Sequence, residues 1–520
     1  MTTVADRRVG PLGRRLSSLP TWTVPASVAA AVLCRVPFVG HAAGPDEAGF
    51  LLVGAQWNGA GTSLYGNYWV DRPPLLITIY RLAASLGGLT ALRLIGCVAA
   101  ALLVLGASRV AGLMAGRESA QWAALSAAAL SINPLLGSRG VNGELLAAPF
   151  ILGGIAAMIV ALRASSRRQA GGAAAVAGAL AVCSLLVKQN LADVAVFGAV
   201  ALILATWRGD ISRQRFTTLL TAATGGALAA GTVLAGWTVI HGTSLVGVFD
   251  AMYPFRLHAE QAMAAGGSHH ATVRLFVLIG AAAASGLIFL LVVLARDVVV
   301  RRPRDVLTWA LIATILFDIA SVLVGGNYWH HYLVELIGPV SVVVGLLCAR
   351  RALGARSVLA YVAAAAVLGW AVSLGAPQGS DGQSVGRSIA AVSQPGDAIV
   401  STWGHADVTL ASGLSSPYAQ LWSLPIKTLD PQLTQLDAVL TGPSAPTWFV
   451  SWGHLRTWGL DTARTGKILS RDYRQVGLVC GRTVYLHDGI VRPVPRVEGS
   501  CRGTGAPLDT SPPTASTTAR

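Results

Sequence analysis

The chain has 520 residues, of which 53% are hydrophobic and only 12% charged, and it carries a net charge of +15. Soluble domains hold about 25% charged residues, so this composition, with a mean hydropathy of +0.59, excludes an ordinary soluble protein and points to a polytopic membrane protein. The positive excess accompanies apolar helices rather than a basic, aromatic-rich surface. It therefore speaks for membrane topology and anionic lipid contact, and against nucleic-acid binding.

An N-terminal tail, residues 1–21, carries Arg7, Arg8, Arg14 and Arg15 ahead of the first apolar run. No small-x-small cleavage site follows that run, so it reads as an uncleaved membrane helix rather than a signal peptide. Ala, Gly, Val and Leu runs near the ~20 residues needed to cross hydrocarbon then recur. They cover 22–40, 89–108, 122–138, 145–162, 171–187, 190–207, 218–240, 274–295, 306–324, 333–349 and 357–375, predicting about eleven transmembrane helices. Alternate loops hold arginine clusters: Arg109 with Arg117; Arg163, Arg167 and Arg168; Arg208, Arg213 and Arg215; Arg296, Arg301, Arg302 and Arg304; Arg350, Arg351 and Arg356. By the positive-inside rule the N-terminus is then cytoplasmic, in a plasma membrane, and the remaining loops face outside.

Three large features fall on the predicted outer side. The first is the loop 41–88, which opens with Asp46-Glu47 and continues to Tyr68-Trp69-Val70-Asp71-Arg72-Pro73-Pro74. Within it, 48–57 and 73–86 predict short helices lying in the membrane interface, the first following the acids. The second is 241–272, with Tyr253-Pro254-Phe255-Arg256 and a His269-His270 pair that reads as solvated. The third, 376–497, shifts in composition and shows strand-like runs at 398–402, 448–452 and 484–487, predicting a small extracytoplasmic α/β domain. Cys480 and Cys501 lie there, where a disulfide is permitted; Cys34, Cys97, Cys183 and Cys348 fall in or beside spans as small packing residues. Residues 498–520 are rich in Gly, Pro, Ser and Thr and read as a disordered tail. The expected fold is mainly α: a transmembrane body, 22–375, with the α/β domain on its outer face.

Charge is costly near hydrocarbon, so ionisable residues at the membrane mouth are functional-site candidates. Four outer turns supply them. Asp46, Glu47, Asp71 and Arg72 come from the first loop; Arg139, Asn142 and Glu144 follow the third span. Lys188 and Gln189 lie between spans five and six, and Asn327, Tyr328, His330, His331 and Tyr332, with Glu335, lie at the turn into span ten. Cations on one face can hold a phosphate, and a carboxylate there can take a proton from an incoming hydroxyl. Plainer readings exist for each. Asp46-Glu47 also suits a helix N-terminus, Arg72 and Lys188 suit interfacial anchors, and His330-His331-Tyr332 suits an aromatic belt. No HExxH, CxxC or other spaced metal signature occurs.

Taken in order, Pro45-Asp46-Glu47-Ala48-Gly49-Phe50, Trp69-Val70-Asp71-Arg72-Pro73-Pro74-Leu75, Asn142-Gly143-Glu144-Leu145, Lys188-Gln189 and His331-Tyr332-Leu333…Pro339 form a pattern. Over about residues 40–340 this pattern resembles the GT-C superfamily of polytopic glycosyltransferases, in its protein mannosyltransferase and aminoarabinose transferase branch. Arg72 stands where that branch usually has Lys, and the α/β domain differs from the β-trefoil of eukaryotic protein mannosyltransferases.

The resemblance implies an inverting enzyme that uses a polyprenyl-phosphate sugar donor on the outer face, with a cell-wall glycan, glycolipid or protein as acceptor. It implies Asp46 as general base, Glu47 and Glu144 orienting the acceptor or contributing to a metal site, and Arg72, Lys188 and His331 with Arg139 neutralising the departing phosphate. Some members use a divalent metal and others do not, and none is assigned. The high Ala, Gly and Arg usage suggests a GC-rich bacterial source.

Two rival classes are open to the sequence. A transporter or flippase of a lipid-linked or anionic substrate predicts repeated halves and acids at mid-membrane. No repeat is seen, while Asp193 and Asp318 do fall inside predicted spans. A non-catalytic scaffold predicts that Asp46→Asn is silent.

Overall fold

The computed structural model describes residues 19–265, 269–303, 305–453, 460–499 and 501. The N-terminal arginines, Arg304, His454 and the tail beyond Cys501 lie outside the described residues, as do the side chains of His269 and His270.

The eleven apolar runs all form helices, but they are not equally long. Seven helices have the length and composition to cross a bilayer: Leu89–Ala115, Gly143–Arg163, Arg167–Val187, Arg213–Ile240, Val306–Val324, His330–Ala349 and Ala355–Leu374. An eighth crossing is a pair, Ala271–Ala284 and Leu287–Arg301, bent by 72°. The bend sits at Gly286, whose φ of 86° is left-handed and whose missing Cβ leaves room for Val362 and Tyr361 of Ala355–Leu374.

The other three are short: Thr23–Leu33, Arg117–Ile132 and Asp193–Trp207 have 11, 16 and 15 residues. At 1.5 Å per residue even the longest reaches only about 24 Å, against ~30 Å of hydrocarbon. Helix starts follow local chemistry. The side chains of Asn142, Ser166, Ser212 and Asp305 each accept a backbone N–H three residues on, closing the first turn.

His330–Ala349 is the axis of the bundle, 89% buried within the protein, whereas Arg213–Ile240 is only 6% buried and faces lipid. Lipid gives helices little hydrophobic drive to associate, so close approach of small residues must hold them together. Arg213–Ile240 therefore meets Arg167–Val187 through glycine. A Cβ at Gly178 would collide with the Ala223 carbonyl, and one at Gly226 with the Ala175 carbonyl.

One of the two loop helices differs from expectation. The first starts ahead of the acids, at Pro45–Gln56, because Pro45 presets its first turn and the Glu47 carboxylate accepts the Gly44 N–H at 3.2 Å. It is a packed helix rather than an interfacial one, with Phe50, Leu51 and Val53 buried. Pro74–Leu86 is two-faced, burying Leu76, Ile77, Tyr80 and Ala83 while Leu82 and Leu86 stay exposed.

The C-terminal part forms a four-stranded sheet from β1 (Ile399–Ser401), β2 (Trp448–Ser451), β3 (Tyr473–Val479) and β4 (Arg482–His487), in the order β1-β2-β4-β3. β1 and β2 are parallel and the other pairs antiparallel. The strand without a sequence signal is β3, where Arg474 and Gln475 are exposed and a bulge at Gln475/Gly477 breaks the alternation. Cys480 and Cys501 form a disulfide.

This part is threaded onto the helical body. The Trp69 N–H donates to the Ala419 carbonyl at 3.0 Å, the Ser416 N–H to the Tyr68 hydroxyl at 3.1 Å, and the Ala42 N–H to the Gln378 carbonyl at 2.8 Å. Ala406 and Leu421 join the main hydrophobic core.

The glycine seam gives a test with an internal control. Gly226→Leu should lower the melting temperature in detergent by several degrees, through overpacking worth about 1–3 kcal/mol. Gly225→Leu, where a Cβ meets nothing within 4 Å, should leave it unchanged; equal effects would reject the seam.

Candidate active site

The acidic pair is divided by the helix that carries it. Adjacent residues on a helix point about 100° apart, so one acid faces in and the other out. Glu47 is 5% exposed. Its Oε2 takes Arg93 Nη2 at 2.7 Å and the Gly44 N–H, and its Oε1 takes the Val141 N–H at 2.8 Å. Arg93 Nη1 in turn donates to the carbonyls of Arg139 at 2.8 Å and Phe38 at 3.2 Å. Both Glu47 oxygens are thus occupied by donors of the protein. In this arrangement Glu47, expected to orient the acceptor or contribute to a metal site, ties the start of its helix to Arg93 and to the turn 139–141.

Asp46 is exposed. Its Oδ1 accepts the indole N–H of Trp422, from the sheet-bearing part, at 2.9 Å. The Trp422 ring lies 5.1 Å from that of Phe50.

Asp71 gathers cations. It is 7% exposed and bridges Arg72 at 2.9 Å and Arg256 at 2.5 Å. Arg256 arrives on the helix Pro254–Ala265, which is pinned by Phe255 packing 4.5 Å from the Trp69 ring. Burial pulls both guanidinium pKa values down. At Arg72, Asp71 together with Asp46, Tyr332 and Glu144 more than offsets this, and the group ends above its ordinary value; at Arg256, burial and the neighbouring Arg72 outweigh Asp71, and the group ends below it. Two guanidiniums around one carboxylate leave one positive charge in excess. Arg72 also interacts electrostatically with Asp46, Tyr332 and Glu144.

A second group completes the cluster. Lys188 Nζ meets Glu144 Oε1 at 2.6 Å and sits 4.4 Å from the Tyr332 ring centre. His331 Nε2 lies 3.9 Å from the same Glu144 oxygen, and His331 interacts with Asp46, Lys188 and Arg72 as well. Behind this group, Asn190 Nδ2 donates to Glu335 at 3.2 Å and to Ser321 Oγ at 2.7 Å. The turn carrying His331 is seated on Gly137, where a Cβ would come 2.8 Å from the His331 Cα.

The structure thus brings Asp46, Asp71, Arg72, Glu144, Lys188, His331 and Tyr332 into one electrostatic neighbourhood. The Arg139 side chain and His330 are exposed at its edge, with the Arg139 carbonyl serving Arg93. Asn142 caps the helix Gly143–Arg163. Asp193 and Asp318 are fully buried against each other elsewhere, as a carboxyl pair that shares a side-chain hydrogen bond.

Arg93, Arg256 and Trp422 are not among the site residues that the sequence singles out. Arg93 does carry a signal, as a basic residue at the predicted outer end of a span, against the inside bias. Arg256 carries the same signal, within the Tyr253-Pro254-Phe255-Arg256 run of a predicted outer loop, whereas Trp422 carries none. Among the described residues no group of three or more His, Cys, Asp or Glu is arranged to hold a metal ion. Glu47 and Glu144, the acids considered for one, are each paired with a cation, so the donor set does not fit a metal.

No protein-family model and no curated protein matches this chain. Solved structures do. ArnT from Cupriavidus metallidurans, bound to undecaprenyl phosphate, superposes with a TM-score of 0.59 at 14% identity, covering 92% of this chain and 98% of that one. The Archaeoglobus fulgidus oligosaccharyltransferase, tethered with an acceptor peptide, gives 0.51 at 12% identity, covering 88% and 72%. At such identities the likeness is one of fold, and it spans both the helical body and the sheet: the chain shares the overall fold of these two structures.

Proposed function

We propose that the protein is a membrane glycosyltransferase moving a sugar from a polyprenyl-phosphate donor to an acceptor hydroxyl on the extracytoplasmic face, with inversion. The observation that carries this reading is an exposed carboxylate, Asp46, within electrostatic reach of a cation cluster holding one charge in excess. Asp46 takes the acceptor's hydroxyl proton as that oxygen attacks the anomeric carbon. The bond from that carbon to the phosphate oxygen breaks, and its electron pair leaves with the polyprenyl phosphate. One displacement inverts the anomeric centre. Arg72 and Arg256 receive the charge growing on the phosphate, with Lys188 and His331 beside them. Electrostatic stabilisation of this kind usually supplies more of an enzyme's rate enhancement than any other effect.

Two further facts support the donor class. The ArnT structure of similar fold carries undecaprenyl phosphate. An entirely apolar cavity of about 110 Å³ lies between the bent pair and the turn after Tyr332, lined by Leu275, Leu278, Ile319, Val322, Leu333 and Leu336. Its size and apolar lining suit a short stretch of an isoprenoid chain, not a whole polyprenyl tail.

A transporter of a lipid-linked substrate is the second reading. It is favoured only by Asp193 and Asp318, which lie within the helices Asp193–Trp207 and Val306–Val324. It requires movement of the lipid without release of polyprenyl phosphate.

In purified protein reconstituted in lipid, with donors carrying mannose, arabinose, galactose or glucose, Asp46→Asn should cut polyprenyl phosphate release at least ~10²-fold at an unchanged melting temperature. Undiminished turnover would remove Asp46 as base. Glu47→Gln should act differently, lowering the melting temperature because breaking a buried ion pair costs about 3–5 kcal/mol. Arg256→Gln should reduce kcat by about 10²-fold through lost stabilisation of the leaving phosphate; a change confined to KM would restrict it to donor binding.

A further inference from the structure

We propose that Trp422 is a positioning residue for Asp46, so that the sheet-bearing C-terminal part completes the site rather than being appended to it. The proposal rests on the reading of Asp46 as base. A base on an exposed side chain rotates freely unless something holds it, and misplacement by an ångström is costly to the rate. Among the described residues the side chain of Asp46 has one hydrogen bond, from the Trp422 indole N–H to Oδ1 at 2.9 Å. That bond holds one carboxylate oxygen in place and leaves Oδ2 for the acceptor hydroxyl.

The helix is shaped for this indole. Gly49 lies three residues after Asp46 and so on the same face. A Cβ there would stand 2.7 Å from Trp422 Cη2 and 2.9 Å from Cε2, and closer still to Cζ2. The absence of a side chain at Gly49 is what lets the ring lie down against the helix, with Phe50 beside it at 5.1 Å.

Trp422 is itself held. It caps the helix Ser423–Leu429, and the residues before it are laced to the first loop: Gln420 bridges to Trp69, and the Ala419 carbonyl takes the Trp69 N–H. One short segment, 416–422, thus touches both Tyr68-Trp69, next to Asp71-Arg72, and the helix bearing Asp46. Packing alone would be served by any large ring in the Gly49 notch. The indole adds a donor on the one atom pair whose orientation the reaction needs.

The test uses the full chain in lipid and a polyprenyl-phosphate sugar donor, comparing wild type, Trp422→Phe, Trp422→Ala and Gly49→Ala. Trp422→Phe keeps a ring in the notch and loses only the donor. It should keep its melting temperature and donor KM while kcat falls at least about tenfold, the loss expected for a hydrogen bond to a charged group. Gly49→Ala, which displaces the ring, should lower kcat in the same way, with a lower melting temperature from overpacking. Wild-type kcat in Trp422→Phe would overturn the proposal.

Hydrogen–deuterium exchange over residues 45–56 gives a readout independent of turnover. Faster exchange in Trp422→Ala supports the docking of Trp422 on the Asp46 helix, and unchanged exchange overturns it. If wild type itself releases no polyprenyl phosphate from any donor, the proposed function fails, and the exchange result alone decides the contact.

Discussion

The buried pair Glu47–Arg93 is the interaction on which the site depends. Taking two charges out of water costs several kcal/mol per ion unless geometry and further hydrogen bonds compensate. Here they do: Glu47 also accepts the N–H groups of Gly44 and Val141, and Arg93 also donates to the carbonyls of Phe38 and Arg139. Four stretches of chain meet in this way: the loop after the first helix, the start of Pro45–Gln56, the start of Leu89–Ala115 and the turn 139–141. With Glu47 locked inward, its neighbour on the helix has one direction left. Asp46 stands out because Glu47 is held in.

The cations around it follow a second electrostatic constraint. Asp71 cannot be buried alone, so it draws Arg72 from its own loop and Arg256 from a helix far along the chain. Glu144 likewise draws Lys188. Each acid thereby orders a cation at the mouth of the helical bundle, and around Asp71 the cations outnumber the acid. A preorganised excess of this kind suits an anionic leaving group, because the donors are already oriented when charge develops.

Much of this was legible in the chain. The long helices followed from apolar length, and the candidate residues from the rarity of charge beside hydrocarbon, which made Asp46, Asp71, Arg72, Glu144, Lys188 and His331 conspicuous. Asp46 and Glu47, though, are chemically alike and adjacent, so their separate roles were not legible from residue type. Helix length was less legible: Thr23–Leu33, Arg117–Ile132 and Asp193–Trp207 are shorter than their apolar runs, because an apolar run does not mark where a helix ends. Arg256 stood in a noted run of an outer loop but without any sign of its partner Asp71, and Trp422 left no local trace, since nothing near it in sequence shares its purpose.

By itself, then, the sequence determined the membrane-spanning helical class and offered a set of ionisable candidates beside the predicted spans. These follow from local composition acting against hydrocarbon. Only the tertiary structure decided which acid is exposed and which is anchor, that Arg256 joins Arg72, and that a tryptophan 376 positions beyond Asp46 lies against it. Those outcomes depend on which side chains share a buried space, and hydrogen-bond and ion-pair satisfaction selects them only once distant segments have packed.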